Sequence, residues 1–105
     1  MSQGSLRIMP AEYSTTTACF SVYAPARPFI LPRVLTIFAR LDMVPARLAS
    51  TVGASRCDEL CIDIQVGGMD AAAREQIAAR LRNLVEVFLV LTWEKGYVSP
   101  EAALG

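Results

Sequence analysis

The chain has 105 residues, of which 53% are apolar, and its Lys+Arg and Asp+Glu counts are equal at 10 each. That length holds one core and not two, and the apolar share fills it with some left over for a partner surface. A formal charge of zero lacks the basic excess of a nucleic-acid binder, so no nucleic-acid partner is expected.

Residues 1–16 show no hydrophobic period and contain Gly4 and Pro10. They read as a flexible N-terminal arm without the continuous apolar stretch of a signal peptide. Thr17 to Ala24 then alternates, with Ala18, Phe20 and Val22 on one face and Cys19, Ser21 and Tyr23 on the other, which predicts a half-buried strand. Pro25 and Pro28 stop it, since neither can donate a ladder hydrogen bond. Pro32 suits the first turn of a helix. Leu31, Val34, Leu35, Phe38 and Leu41 follow at helical spacing, with Arg33 and Arg40 off that stripe, and Pro45 is expected to end the helix by Met43 or Val44.

Ala46 to Val52 predicts a weak strand, with Leu48 and Val52 sharing a face. Glu59 to Val66 predicts the cleanest one: Leu60, Ile62, Ile64 and Val66 face in, and Cys61, Asp63 and Gln65 face out. Gly67-Gly68 ends it, and Asp70 is placed to cap a second helix whose buried stripe is Ala73, Ile77, Leu81 and Leu84. Val85 to Trp93 predicts the last strand, with Val87, Leu89 and Leu91 on one face and Phe88 and Val90 on the other. A strand apolar on both faces is covered on both, so a partner is expected on one of them. Glu94 to Gly105 reads as a tail.

The order strand, helix, strand, strand, helix, strand is the α+β, ferredoxin-like βαββαβ plan: a four-stranded antiparallel sheet with two helices on one face. Right-handed crossovers set strands one and three in the centre and leave strand two as an open edge, suited to pairing with a second copy. Leu48 and Val52 on that edge, with Phe88 and Val90 on the last strand, are the expected interface residues.

Little here suits catalysis. The sequence has no histidine, and Ser21 and Ser50 have no neighbouring base. Cys19, Cys57 and Cys61 are too few and too spaced for zinc and odd in number for a disulfide framework. They read as small buried or half-buried thiols in a reducing cytoplasm. No catalytic residue, metal or cofactor is expected. The longest apolar run, Val87 to Leu91, is far too short to span a bilayer, so no membrane is expected either.

The segments PFILPRVLTIFARLDM, ELCIDIQVGG and EQIAARLRNLVEVFLV resemble an ACT domain spanning residues 17–93, and within that family the short, single-domain small subunits of acetolactate synthase. Pro28, Leu31, Arg33, Val34, Leu35 and Phe38 match the first helix of the pattern. Arg82, Leu84, Val85, Glu86 and Val87 match the passage into the last strand, with Glu86 in place of an aspartate. The resemblance implies a non-catalytic, dimeric regulatory subunit that binds and activates the acetolactate synthase catalytic subunit in branched-chain amino acid biosynthesis. It also implies that an amino-acid ligand, if one is held, meets Ala26, Arg27, Pro28, Phe29, Ile30 and Leu31 in the turn and Asp42 and Val44 after the helix. The departures sit at those positions. Phe29 stands where the family has glycine, Ala26 where valine-sensing members have asparagine, and Asp42-Met43-Val44 where they have Gly-x-Asn. Weak or absent valine feedback is what these changes imply. The alternative is a stand-alone domain sensing an amino acid or other small carboxylate at a dimer interface, with Arg27 or Arg33 gripping the carboxylate.

Overall fold

The computed structural model describes residues 16–53 and 56–96. Six elements follow in order: β1 (Thr16–Pro25), α1 (Ile30–Arg40), β2 (Arg47–Val52), β3 (Glu59–Gly67), α2 (Ala71–Arg82) and β4 (Leu89–Gly96). The strands form one antiparallel sheet ordered β2-β3-β1-β4, with the two helices packed on one face. This is the ferredoxin-like arrangement that the strand and helix order implies.

Period two decides which residues make the core. β1 pairs Phe20 with Ile64 and Val22 with Ile62 on one side, and Val22 with Val90 on the other. These rows point at the helices, where Ile30, Val34 and Phe38 of α1 and Ile77, Ala78 and Leu81 of α2 close over them. Phe20 and Phe38 meet edge to face, ring centroids 5.8 Å apart, the geometry the ring quadrupoles favour.

The helix ends have different chemistry. Asp70 caps α2: its Oδ1 accepts from the Ala73 amide at 2.8 Å, satisfying one of the donors a helix start leaves open. α1 begins at Phe29 with no side-chain cap. It stops earlier than Pro45 requires. Asp42 sits at φ 61, and the Met43 and Asp42 amides return to the Phe38 and Ala39 carbonyls at 2.9 and 3.1 Å. That is a Schellman ending, which takes a left-handed residue and here uses aspartate instead of glycine.

Two expected boundaries move at the last strand. β4 begins at Leu89, not Val85, because Val85 and Glu86 form a turn in which Glu86 takes φ 75. β4 also continues to Gly96, so Glu94 and Lys95 belong to the sheet and not to a tail. Thr16, given to the arm by the sequence, is likewise the first residue of β1. The rest of the expected arm and tail lies outside the described residues.

Side chains tie α2 to β4. Arg74 Nη1 donates to Thr92 Oγ1 at 3.2 Å, and that hydroxyl donates to the Cys19 carbonyl at 2.9 Å. Arg82 Nη2 donates to the Val90 carbonyl at 3.0 Å.

Asp70→Ala is expected to lower the unfolding free energy by about 1 kcal/mol in urea titrations, with Asp70→Asn close to wild type. Phe38→Ala, which empties the centre of the helix–sheet contact, is expected to cost about 3–5 kcal/mol in the same measurement.

Candidate functional site

The sequence candidates point to the turn between β1 and α1 and to the sheet face without helices.

The turn is closed on itself. The Arg27 amide donates to the Pro25 carbonyl at 2.8 Å, the Ile30 amide to the Arg27 carbonyl at 3.2 Å, and the Ala26 amide to the Asp58 carbonyl at 2.9 Å. Phe29 holds φ −86 and ψ −5, angles open to any L-residue, so the turn in this form needs no glycine there. Its partly exposed ring lies under the Arg33 guanidinium, 4.6 Å from ring centroid to Cζ. Arg27 reaches away to Glu86, Nε to Oε1 2.9 Å. Both arginines expected to grip a carboxylate therefore have a neighbour within the chain, one an acid and the other an aromatic face.

The remaining sequence candidates scatter. Ile30 is buried in the core and Leu31 packs partly against it. Asp42 and Val44 follow the other end of α1, an 11-residue helix, about 16 Å along its axis from the turn. A single chain does not bring them to Ala26, Arg27, Pro28 and Phe29. Val44 is 85% exposed.

The helix-free face is built by the odd-numbered residues of β1, β3 and β4. Cross-strand pairing sets Ser21 beside Asp63 and Leu91, Cys19 beside Gln65 and Trp93, and Tyr23 beside Cys61 and Leu89. Ser21 Oγ donates to Asp63 Oδ1 at 2.5 Å, and the Cys61 thiol donates weakly to Asp63 Oδ2 at 3.8 Å. A shallow depression of about 220 Å³ lies over this face, lined by Cys19, Arg47, Ala49, Asp63, Gln65 and Trp93 among others. It sets a cation and a carboxylate on one surface beside an indole.

β4 supplies an apolar column at the rim. Leu89, Leu91 and Trp93 are 44%, 46% and 45% exposed. Val90, expected at the interface, is 3% exposed and belongs to the core. Its pairing with Val22 turns it toward the helices, and the side chains of β4 on the helix-free face are its odd neighbours. Phe88, just before the strand, is exposed. Leu48 and Val52 are exposed on the open edge, but their pairing with Ile64 and Leu60 places them on the helix side of the sheet. The column was legible as alternation once the strand's phase was known. The phase was not, because residues 87–91 are all apolar.

The thiols differ sharply. Burial raises the pKa of Cys19, against an opposing pull from Lys95. Burial likewise raises Cys61, opposed by a hydrogen bond from the Tyr23 hydroxyl and reinforced by Asp63. Tyr23 is raised in turn, chiefly by that bond to Cys61. Cys57, expected to be at least half buried, is exposed. Among the described residues no cluster of His, Cys, Asp or Glu is arranged to hold a metal, and no helix is long and apolar enough to cross a membrane.

The sequence matches the ACT-like domain family over residues 11–96. The chain belongs to that family. The ACT domain of the GTP pyrophosphokinase of Chlorobium tepidum superposes with a TM-score of 0.62 at 9% identity, covering 73% of this chain and 96% of that one. The C-terminal domain of the MgtC protein from Mycobacterium tuberculosis gives 0.61 at 12% identity, over 84% and 96% of the two chains. The regulatory subunit of aspartate kinase from Thermus flavus gives 0.60 at 10% identity, over 74% of this chain and 50% of that one. At such identities the likeness is one of fold. No curated protein matches in sequence. ACT domains are typically regulatory, ligand-binding and non-catalytic modules.

With native protein at pH 7.5, a thiol reagent is expected to label one cysteine, Cys57, quickly, and Cys19 and Cys61 only after urea unfolding. The linkage has a definite sign. Both buried thiols have folded pKa values above the ordinary thiol value of 9.0. Their contribution to stability is thus complete below about pH 9 and lost as pH climbs through the raised values, so the urea midpoint is expected to fall above pH 9 and to fall less in Cys61→Ala.

Proposed function

We propose that this ACT-like domain is a non-catalytic regulatory subunit of the cytoplasm that pairs with a second copy and binds and activates the catalytic subunit of acetolactate synthase. The observation that carries the reading is the Leu89, Leu91 and Trp93 column. Three large apolar side chains stand half exposed in a row on a sheet face that no helix covers. Burying such a column yields about 25 cal/mol per Å², so a chain with this surface gains from a partner. The pattern around Pro28 to Phe38 and Arg82 to Val87, similar to acetolactate synthase small subunits, supports the choice of that partner. Edge strand β2 suits the second copy: it is short and exposed, whereas β4 already has one carbonyl taken by Arg82. Valine feedback is weak or absent on this reading, since Arg27 is engaged by Glu86 and Arg33 lies against the Phe29 ring.

A second reading rests on the depression over the sheet face. Arg47 and Asp63 there offer a cation for a carboxylate and a carboxylate for an ammonium, with Trp93 beside them. A stand-alone sensor of an amino acid would use that pattern.

Co-expression with the acetolactate synthase catalytic subunit of the same source, followed by size-exclusion chromatography and an activity assay, separates the two. The first reading expects a stable complex with raised activity, insensitive to valine, and loss of the complex in Leu91→Lys with the dimer intact. A clean dimer that leaves the catalytic subunit alone at micromolar concentration overturns it. A thermal shift with one amino acid, abolished in Asp63→Asn, selects the second.

A further inference from the structure

The helix layer carries a separate charged groove. Arg33, Thr36, Ile37 and Arg40 recur along one side of α1, and Arg80 and Leu84 line the facing side, on α2 and just beyond its end. Together they enclose about 210 Å³. Three of the six lining residues are arginine and none is acidic. α1 has no Asp or Glu at all, and the single acid of α2, Glu75, lies 3.3 Å from Arg74. The ion pairs among the described residues involve Arg27, Arg56 and Arg74 but not Arg33, Arg40 or Arg80. In a chain of zero net charge this is a local excess of positive charge without a counter-ion among the described residues.

From this we infer that the α1–α2 groove is a binding site for a small phosphomonoester. The arginines present forked N–H donors that match phosphate oxygens two at a time, and clustering them is unfavourable until an anion is present. Arg33 is already part-ordered, its guanidinium carbon 4.6 Å from the centroid of the Phe29 ring. The Thr36 hydroxyl donates to the Pro32 carbonyl at 2.7 Å, so the donors facing the anion are the guanidiniums. Ile37 and Leu84 are half-buried at the groove and suit an apolar body attached to the phosphate. The volume accommodates a compact ester and falls below the usual range for larger ligands, about 300–1,000 Å³. The groove lies on the helix side of the sheet, away from the β4 column, so its occupancy does not depend on the pairing proposed above.

The test is an amide-resolved NMR titration of the full chain with inorganic phosphate and with phenyl phosphate at low ionic strength. Saturable shifts are expected at residues 33–40 and 80–84, with phenyl phosphate the tighter ligand and both weakened by added chloride. Arg40→Gln and Arg80→Gln keep helix propensity at exposed sites, and each is expected to weaken phenyl phosphate about tenfold, the loss of one charge-assisted pair. Arg56→Gln, an exposed arginine away from the groove, is expected to change nothing. Absence of saturable shifts overturns the inference. So does an equal loss in Arg56→Gln, or a groove that responds to a glutamate-rich peptide and to neither phosphate.

Discussion

β1 is hydrogen-bonded on both edges, and the rest of the molecule depends on that. β3 and β4 are each paired to it and not to each other, and β2 reaches the sheet only through β3. The second crossover therefore returns to a strand whose side-chain phase is already set, while the first carries the chain past it to the far side of β3. Ala18, Phe20, Val22 and Ala24 point to the helices, and with them, by register, Leu60, Ile62, Ile64, Val66 and Val90. A one-residue slip of β1 would exchange the apolar row for Cys19, Ser21 and Tyr23 and expose the core. The same phase puts the open face together. Ser21 meets Asp63, and the β4 column stands beside them, as a by-product of the core's own register.

Where local chemistry was explicit, the fold could be read from the residues. Pro25 and Pro28 mark the end of β1, Asp70 marks the start of α2, and the strict alternation from Leu60 to Val66 marks β3. Reading failed where the signal was not local. Pro45 looked like the end of α1, but Asp42 takes the left-handed conformation first, and a short polar residue there is a weaker sign than a glycine. The run from Val85 to Leu91 holds a turn and the start of a strand, and with Glu86 its single polar residue it has no period to show where one becomes the other. Val90 was assigned to the wrong side for that reason.

The candidate sites follow the same division. The turn's residues were found because prolines announce a turn. Its closure was not, because the Arg27–Glu86 contact joins segments that only the sheet brings together. The groove of Arg33, Arg40 and Arg80 was half visible: the two arginines of α1 lie off its buried stripe, and Arg33 was a candidate for a carboxylate in the turn. Only the packing of α2 alongside supplies the third, and what sets the three apart is that they share one groove whose described lining holds no acid.

β2 has a consequence for how the molecule breathes. Five of its six residues are exposed and only Ala49 is partly covered, so the strand is held to β3 by backbone hydrogen bonds with almost no apolar burial behind them. Its opening free energy is then well below that of the whole domain. The amides that bind Arg47 to Val52 to β3 exchange with solvent through local detachment, while those joining the central strands β1 and β3 wait for global unfolding. A chain that adds a strand from outside at this edge meets a seam the protein already opens by itself.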